Sequence, residues 1–156
     1  VFLNELSKVY RYLLRNNDDE LVPLETELRF IHSYFHLLKT RFGNAIQLTV
    51  DVPTKYMSCF LPPLTLQMLV ENAVKHNNVS KDAPLQITIS CMEIGWLAVS
   101  NNLQKKLGKV DSTGIGLSNI QEKYKLLGLP GVELTDTGRE FTATIPLVEQ
   151  LVIERK

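Results

Sequence analysis

Leu61-Pro62-Pro63-Leu64-Thr65-Leu66-Gln67-Met68-Leu69-Val70-Glu71-Asn72-Ala73-Val74-Lys75-His76-Asn77 reads as a helix opened by a proline pair. Leu66, Leu69, Val70, Ala73 and Val74 fall at i, i+3, i+4, i+7 and i+8, which makes one apolar stripe. The other side is polar. Glu71 and Lys75 lie one turn apart, as do Asn72 and His76, so a carboxylate, an amide, an ammonium and an imidazole are expected on one wall facing away from the core. A carboxylate can orient or deprotonate a hydroxyl or water, an amide oxygen is a hard ligand for Mg²⁺, and an ammonium neutralises phosphate oxygens. The wall therefore carries a phosphoryl-transfer toolkit. The plainer reading of the same residues is a solvated face with a Glu71–Lys75 surface ion pair, worth roughly 0.2–0.5 kcal/mol.

Outward from this helix, period-two segments alternate with helical ones. Upstream, Phe2, Leu3, Leu6, Val9, Tyr10, Leu13 and Leu14 recur at helical spacing until Asn16-Asn17-Asp18-Asp19 breaks the pattern. A second helix opens near Pro23, carries Leu24, Leu28, Ile31, Phe35, Leu38 and Phe42, and stops at Gly43-Asn44. Ile46 to Val52 alternates as a strand ended by Pro53. Downstream, Leu85 to Met92 and Trp96 to Ser100 read as strands joined across Glu93-Ile94-Gly95, and Asn101 to Ser112 reads as a polar loop. A helix then runs from Gly114 through Leu127, followed by strands near Val132–Thr135 and Phe141–Pro146 linked by Asp136-Thr137-Gly138. Hairpin-linked strands with gathered helices predict an α+β fold, a two-layer sandwich with helices on one face of a mixed sheet.

Composition sets the bounds. The chain has 156 residues, 44% apolar and 22% charged, enough for one compact domain with an appended element. Seventeen basic and seventeen acidic residues cancel, which argues against a general nucleic-acid or membrane-surface binder. Cys59 and Cys91, isolated from each other and from histidine clusters, read as buried thiols of a reducing compartment and do not suggest zinc. His32 and His36 are one helical turn apart, but without a third ligand nearby they carry no metal prediction. No apolar run approaches the length of a membrane span. The chain opens at Val1 inside a helical pattern, as expected of a piece of a longer protein.

The second chemical element is Gly114-Ile115-Gly116-Leu117-Ser118-Asn119-Ile120. Glycines at a helix start expose backbone N–H groups and a partial positive charge, a ready site for phosphate. By itself the pattern is also that of a tight turn, and the full dinucleotide fingerprint is not met. The lysine-bearing loop ahead of it could close over a polyphosphate.

Taken together and in this order, these stretches resemble one family. Leu69–His76 looks like the N-box of the GHKL, or Bergerat-type, ATPases shared by gyrase, heat-shock chaperones, histidine kinases and mismatch-repair proteins, and Gly114–Ile120 resembles their second glycine box. Leu61-Pro62-Pro63-Leu64-Thr65-Leu66-Gln67, Val22-Pro23-Leu24-Glu25, Arg41-Phe42-Gly43 and Phe141-Thr142-Ala143-Thr144-Ile145-Pro146 narrow this to the LytS-like sensor histidine kinases.

The resemblance implies two-component signal transduction: a catalytic domain that binds ATP and Mg²⁺, transfers the γ-phosphoryl group to a histidine, and feeds a phosphorelay to a response regulator, typically of LytTR type. Asn72 would ligate Mg²⁺, Glu71 would help activate the acceptor, and Lys75 and His76 would lie near the phosphates or ribose. The backbone of Gly114, Ile115, Gly116 and Leu117 would cradle the polyphosphate under a lid over 102–113. Residues 1–19 would be the tail of a dimerisation helix, 20–148 the ATP-binding domain and 149–156 a tail. The whole protein would be a homodimer, membrane-anchored, with this domain on the cytoplasmic side of the inner membrane and no nucleic-acid partner.

The chain departs from the family pattern in three places. Asp-x-Gly-x-Gly, whose Asp reads the adenine amino group, is replaced by Asn101-Asn102-Leu103-Gln104-Lys105, which keeps an acceptor oxygen without charge and lacks both glycines. The Gly-Thr pair before the last strand reads Gly138-Arg139. The phosphoacceptor motif, of Asn-Pro-His-Phe type, does not occur. Two rivals stay open: a nucleotide-poor pseudokinase that only docks partners, and a serine kinase of anti-sigma type or an ATPase on the same fold.

Overall fold

The computed structural model describes residues 2–15, 21–92, 95–105 and 115–149. In chain order the elements are α1 (Phe2–Arg15), β1 (Val22–Pro23), α2 (Leu24–Phe42), β2 (Ile46–Asp51), β3 (Phe60–Leu61), α3 (Thr65–His76), β4 (Leu85–Cys91), β5 (Trp96–Asn102), α4 (Ile115–Leu126), β6 (Glu133–Asp136) and β7 (Glu140–Pro146). Five strands form a mixed sheet in the order β2-β4-β5-β7-β6, with β2 parallel to β4 and the remaining pairs antiparallel.

Alternation along the strands gives the sheet two unlike faces. Leu85, Ile87 and Ile89 of β4, Leu97 and Val99 of β5, and Ala143 and Ile145 of β7 are buried in one cluster with Leu24, Leu28 and Ile31 of α2, Leu66, Leu69, Val70 and Ala73 of α3, and Ile120 and Tyr124 of α4. The intervening Gln86, Thr88, Ser90, Ser100, Thr142 and Thr144 are exposed or half-buried. Ser100 and Thr142, cross-strand partners on that outer face, share a hydroxyl hydrogen bond of 3.1 Å. The architecture is the expected α+β sandwich, with α2, α3 and α4 on one face and α1 packed on α2.

Several boundaries differ from the sequence reading, each for a local reason. The proline pair does not begin α3. Leu64 follows it in the left-handed conformation, φ 67° and ψ 7°, and the helix starts at Thr65. β5 continues through Asn101 and Asn102, because these residues pair with Phe141 and Glu140 of β7; they belong to the sheet and not to the polar loop. The last hairpin turns at Thr137-Gly138-Arg139, where Gly138 takes φ 85°, and α4 ends at Leu126. A two-stranded ribbon of β1 with β3 was not expected. It lies beside the start of α2, whose Leu24 and Glu25 N–H groups donate to the carbonyls of Cys59 (2.7 Å) and Met57 (3.1 Å). At its far end α2 stops as expected, at Gly43, φ 58°, whose N–H bonds the Lys39 carbonyl.

Candidate functional site

α3 is fixed first at its N-terminus. A helix start leaves N–H groups without intrahelical partners, and a leucine at the N-cap offers no side chain to satisfy them. Glu27 of α2 supplies the acceptor instead: its carboxylate takes hydrogen bonds from Leu64 N–H at 3.2 Å and Leu66 N–H at 3.4 Å. Glu27 is wholly buried. A carboxylate in that setting is tolerable because the helix N-terminus is partially positive and its N–H groups replace lost water. Thr65, also buried, turns its hydroxyl back to the Pro62 carbonyl at 2.7 Å. Tyr124 of α4 stands close to Glu27; burial, and then the Glu27 charge, push its phenol far above the ordinary tyrosine range, and its hydroxyl donates to the Pro146 carbonyl at 3.3 Å.

Sequence reading passed over Glu27, yet a signal was there. It sits between Leu24 and Leu28 and one turn before Ile31, so it is a charged residue inside an apolar helical stripe.

The polar residues farther along α3 span one arc away from the core, with Glu71 at one edge and His76 at the other. At about 100° per residue, Glu71 continues the side of Gln67, whereas Asn72 and His76 continue the side of Thr65 and Met68. The contacts follow that division. Gln67 donates to the Glu71 carboxylate at 2.6 Å, so Glu71 is engaged by the preceding turn and not by Lys75. Tyr34 of α2 lies near this pair: burial, and next the Glu71 charge, raise its phenol above the ordinary range, with Gln67 partly offsetting. On the other side, Thr65 and Met68 face Asn119, Ile120, Lys123 and Leu126 of α4 across a groove of about 430 Å³. Glu71 thus lies on the α2 side, and helical spacing puts Asn72 and His76 on the side of Thr65 and Met68. Asn72 and His76 are half-buried, and Glu71 and Lys75 are exposed.

The C-terminus of α3 is tied as firmly as its start. Asn77, 2% exposed, donates from Nδ2 to the Ala73 carbonyl at 2.8 Å and accepts from Gln104 N–H at 2.7 Å. The Asn78 N–H adds a bond to the Gln104 carbonyl at 2.8 Å. Residues 103–105 are held from the opposite side too: Leu103 N–H donates to the Arg139 carbonyl at 2.8 Å, and Lys105 Nζ reaches Asp136 Oδ2 at 3.1 Å. The Gly138 N–H, then Lys105, hold the Asp136 carboxyl below the ordinary range. Where the family pattern has glycines, this chain has a segment pinned between α3 and the β6–β7 hairpin.

Asn101, just ahead of that segment, is cross-strand partner of both Ile87 and Phe141, so it stands on the helix-facing side of the sheet. It is 6% exposed and donates from Nδ2 to the Asn102 carbonyl at 2.9 Å. Asn102 turns the other way and braces the outer face, accepting from Gln86 N–H at 2.7 Å and donating to the Pro84 carbonyl at 3.1 Å. Of the expected phosphate cradle, Gly114 lies outside the described residues, as do 106–113 of the lid expected over 102–113; Asn102 belongs to β5 instead. Ile115, Gly116 and Leu117 form the first turn of α4, and Leu117 packs half-buried against the core. His32 and His36 are both exposed on α2.

Comparison with known proteins agrees with this fold. A family model described as Histidine kinase matches residues 1–46. The Sensor protein LytS of Bacillus anthracis is 30% identical over 92% of this chain. The chain spans 28% of the length of that relative. Among solved structures, the cytoplasmic segment of histidine kinase QseC superposes with a TM-score of 0.57 at 21% identity, covering 95% of this chain and 91% of that one. The catalytic domain of histidine kinase ThkA superposes with a TM-score of 0.51 at 15% identity, covering 84% of this chain and 98% of that domain. The chain is a homologue of the LytS-like sensor histidine kinases and carries the fold of a histidine kinase catalytic domain.

Proposed function

We propose that this chain is the ATP-binding catalytic part of a two-component sensor histidine kinase, which passes the γ-phosphoryl group of ATP to a histidine outside residues 1–156 and from there to a response regulator. The observation that carries the reading is the division of α3. Glu71 bonds Gln67 and lies near Tyr34 of α2, whereas helical spacing puts Asn72 and His76 on the side of Thr65 and Met68, which line a groove with α4. A phosphoryl-transfer site needs those two functions on different sides, one for the acceptor and one for the nucleotide.

The donor chemistry suits Mg²⁺ and ATP: a half-buried amide, Asn72, an ammonium three residues on, Lys75, and a helix that begins at the second glycine box. Asn72 offers its amide oxygen to the metal, and Lys75 and His76 lie one turn farther along for the phosphates or ribose. The N–H groups of Gly114, Ile115, Gly116 and Leu117 receive phosphate oxygens, and Asn101 accepts from the adenine amino group. Glu71 orients or takes the proton of the acceptor imidazole. ATP supplies the transferred group, so the protein's work is positioning and charge neutralisation.

In this reading residues 1–19 continue a dimerisation helix, 20–148 form the catalytic domain and 149–156 a tail. The whole protein is a membrane-anchored homodimer whose regulator is of LytTR type, and this part faces the cytoplasm. Among the described residues no helix is long and apolar enough to cross a membrane.

Calorimetric titration with a non-hydrolysable ATP analogue, with and without Mg²⁺ and beside Asn72→Ala, tests the reading. Binding that requires Mg²⁺ and is lost in the variant is the expected result. Absence of binding at millimolar analogue would favour the docking-module rival, for which one observation speaks: Leu103 and Lys105 stand pinned where the family pattern has glycines.

A further inference from the structure

We propose that Glu27 is a positioning residue for the phosphoryl-transfer site, a tether through which the placement of the α1–α2 hairpin sets the placement of α3. The inference rests on the nucleotide reading of α3 given above. Three observations carry it. Glu27 is wholly buried on α2, and its two oxygens hold Leu64 and Leu66 N–H groups across 37 and 39 residues of sequence. The residue it holds at the N-cap, Leu64, is the one non-glycine residue with positive φ among those described, a conformation that an L side chain adopts only when its surroundings enforce it. Finally, α3 has no side-chain cap of its own, so the acceptor for these N–H groups comes from another element.

A helix capped by its own N-cap residue could rock as a unit over the sheet. One capped from α2 cannot move away from α2 without stranding a buried carboxylate and the N–H groups it serves, a loss far larger than the sliding of apolar side chains. Asn72 lies two turns from the tether on a helix of twelve residues, so a shift at Leu64 moves it as a rigid extension. α1 packs on α2, and the Glu5 carboxyl of α1 is held below the ordinary range by the Ser33 hydroxyl of α2, then by Lys8 and His36. Displacement of α1 is thereby passed to α2, and through Glu27 to α3, the helix that carries Asn72 and Glu71.

Two variants separate a tether from a mere cap. Glu27→Gln keeps the shape but turns one acceptor into a donor facing an N–H group. Leu64→Asn, added to it, places at the N-cap a residue that accepts left-handed backbone and can cap the helix locally. In Glu27→Gln the Mg²⁺-dependent affinity for the ATP analogue is expected to fall about fivefold or more, and the side-chain amide resonance of Asn72 to move. In the double variant the thermal midpoint should recover while the affinity stays low and the Asn72 resonance stays displaced. Recovery of all three by the local cap would overturn the proposal, since Glu27 would then be a cap and nothing more. An unmoved Asn72 resonance in folded Glu27→Gln would overturn it as well, as would an equal loss of affinity in Ile145→Val, a core change on β7 that serves as control. If Glu27→Gln does not fold, the double variant carries the test alone. Should the parent chain itself bind no analogue, the nucleotide reading falls, and the Asn72 resonance still decides the tether.

Discussion

The two ends of α3 are both tied to residues far along the chain, but by opposite chemistry. At the N-terminus a buried carboxylate from α2 accepts from two backbone N–H groups. At the C-terminus a neutral amide, Asn77, donates to a carbonyl of its own helix and accepts from the N–H of Gln104 beyond β5. The difference follows from the helix itself, which presents N–H groups and partial positive charge at one end and carbonyls and partial negative charge at the other. A carboxylate would be repelled at the second end. An amide there can serve the helix carbonyl and a foreign N–H at once. Between these fixed ends one face of α3 is buried in the core and the other carries its polar residues.

The comparison can be broken at either end, and the charged end should break harder. Glu27→Ala strands two N–H groups in the core and should lower unfolding free energy by about 3 kcal/mol, read as an earlier urea midpoint. A loss under about 1 kcal/mol would mean that water replaces the carboxylate. Asn77→Ala leaves the Gln104 N–H and the Ala73 carbonyl without their partner and should cost about 2 kcal/mol. Hydrogen exchange sharpens this case, since protection should drop at Gln104 and Asn78 while Leu64 and Leu66 keep theirs.

The smallest effect belongs to Asp136, which braces Lys105 from the hairpin side. Its carboxyl is held below the ordinary range in the folded chain, so its contribution is present above about pH 4 and is lost as pH falls through the lowered folded value. The group is exposed, and solvent screens it. Asp136→Asn should therefore leave the thermal midpoint at pH 7 almost unchanged and flatten only a slight decline at acid pH, seen by repeating the melt from pH 6 downward.

Much of this molecule was legible locally. The stripe Leu66, Leu69, Val70, Ala73 predicted the buried face of α3, and Leu85, Ile87, Ile89 predicted the core face of β4, because helix and strand periods are properties of a few consecutive residues. Gly43 marked the end of α2 for the same reason: its positive φ is a local demand. The chemical groups along α3 were legible in the sequence, and their neighbours were not. Glu71, Asn72, Lys75 and His76 fall together by helical spacing, and which neighbour each faces depends on where α2 and α4 lie.

What the sequence by itself determined, then, is the set of elements, their buried faces and the kinds of chemical group along α3, since all of these follow from spacing within a dozen residues. Only the tertiary structure decided that Glu27 caps α3, that Asn77 pins Gln104, that Asn101 lies in the sheet with Phe141, and that Leu64 is held left-handed. The physical reason is common to all four. A hydrogen bond between residues tens of positions apart leaves no periodic trace in the chain, and it forms only where the packing of apolar faces brings its donor and acceptor together out of water.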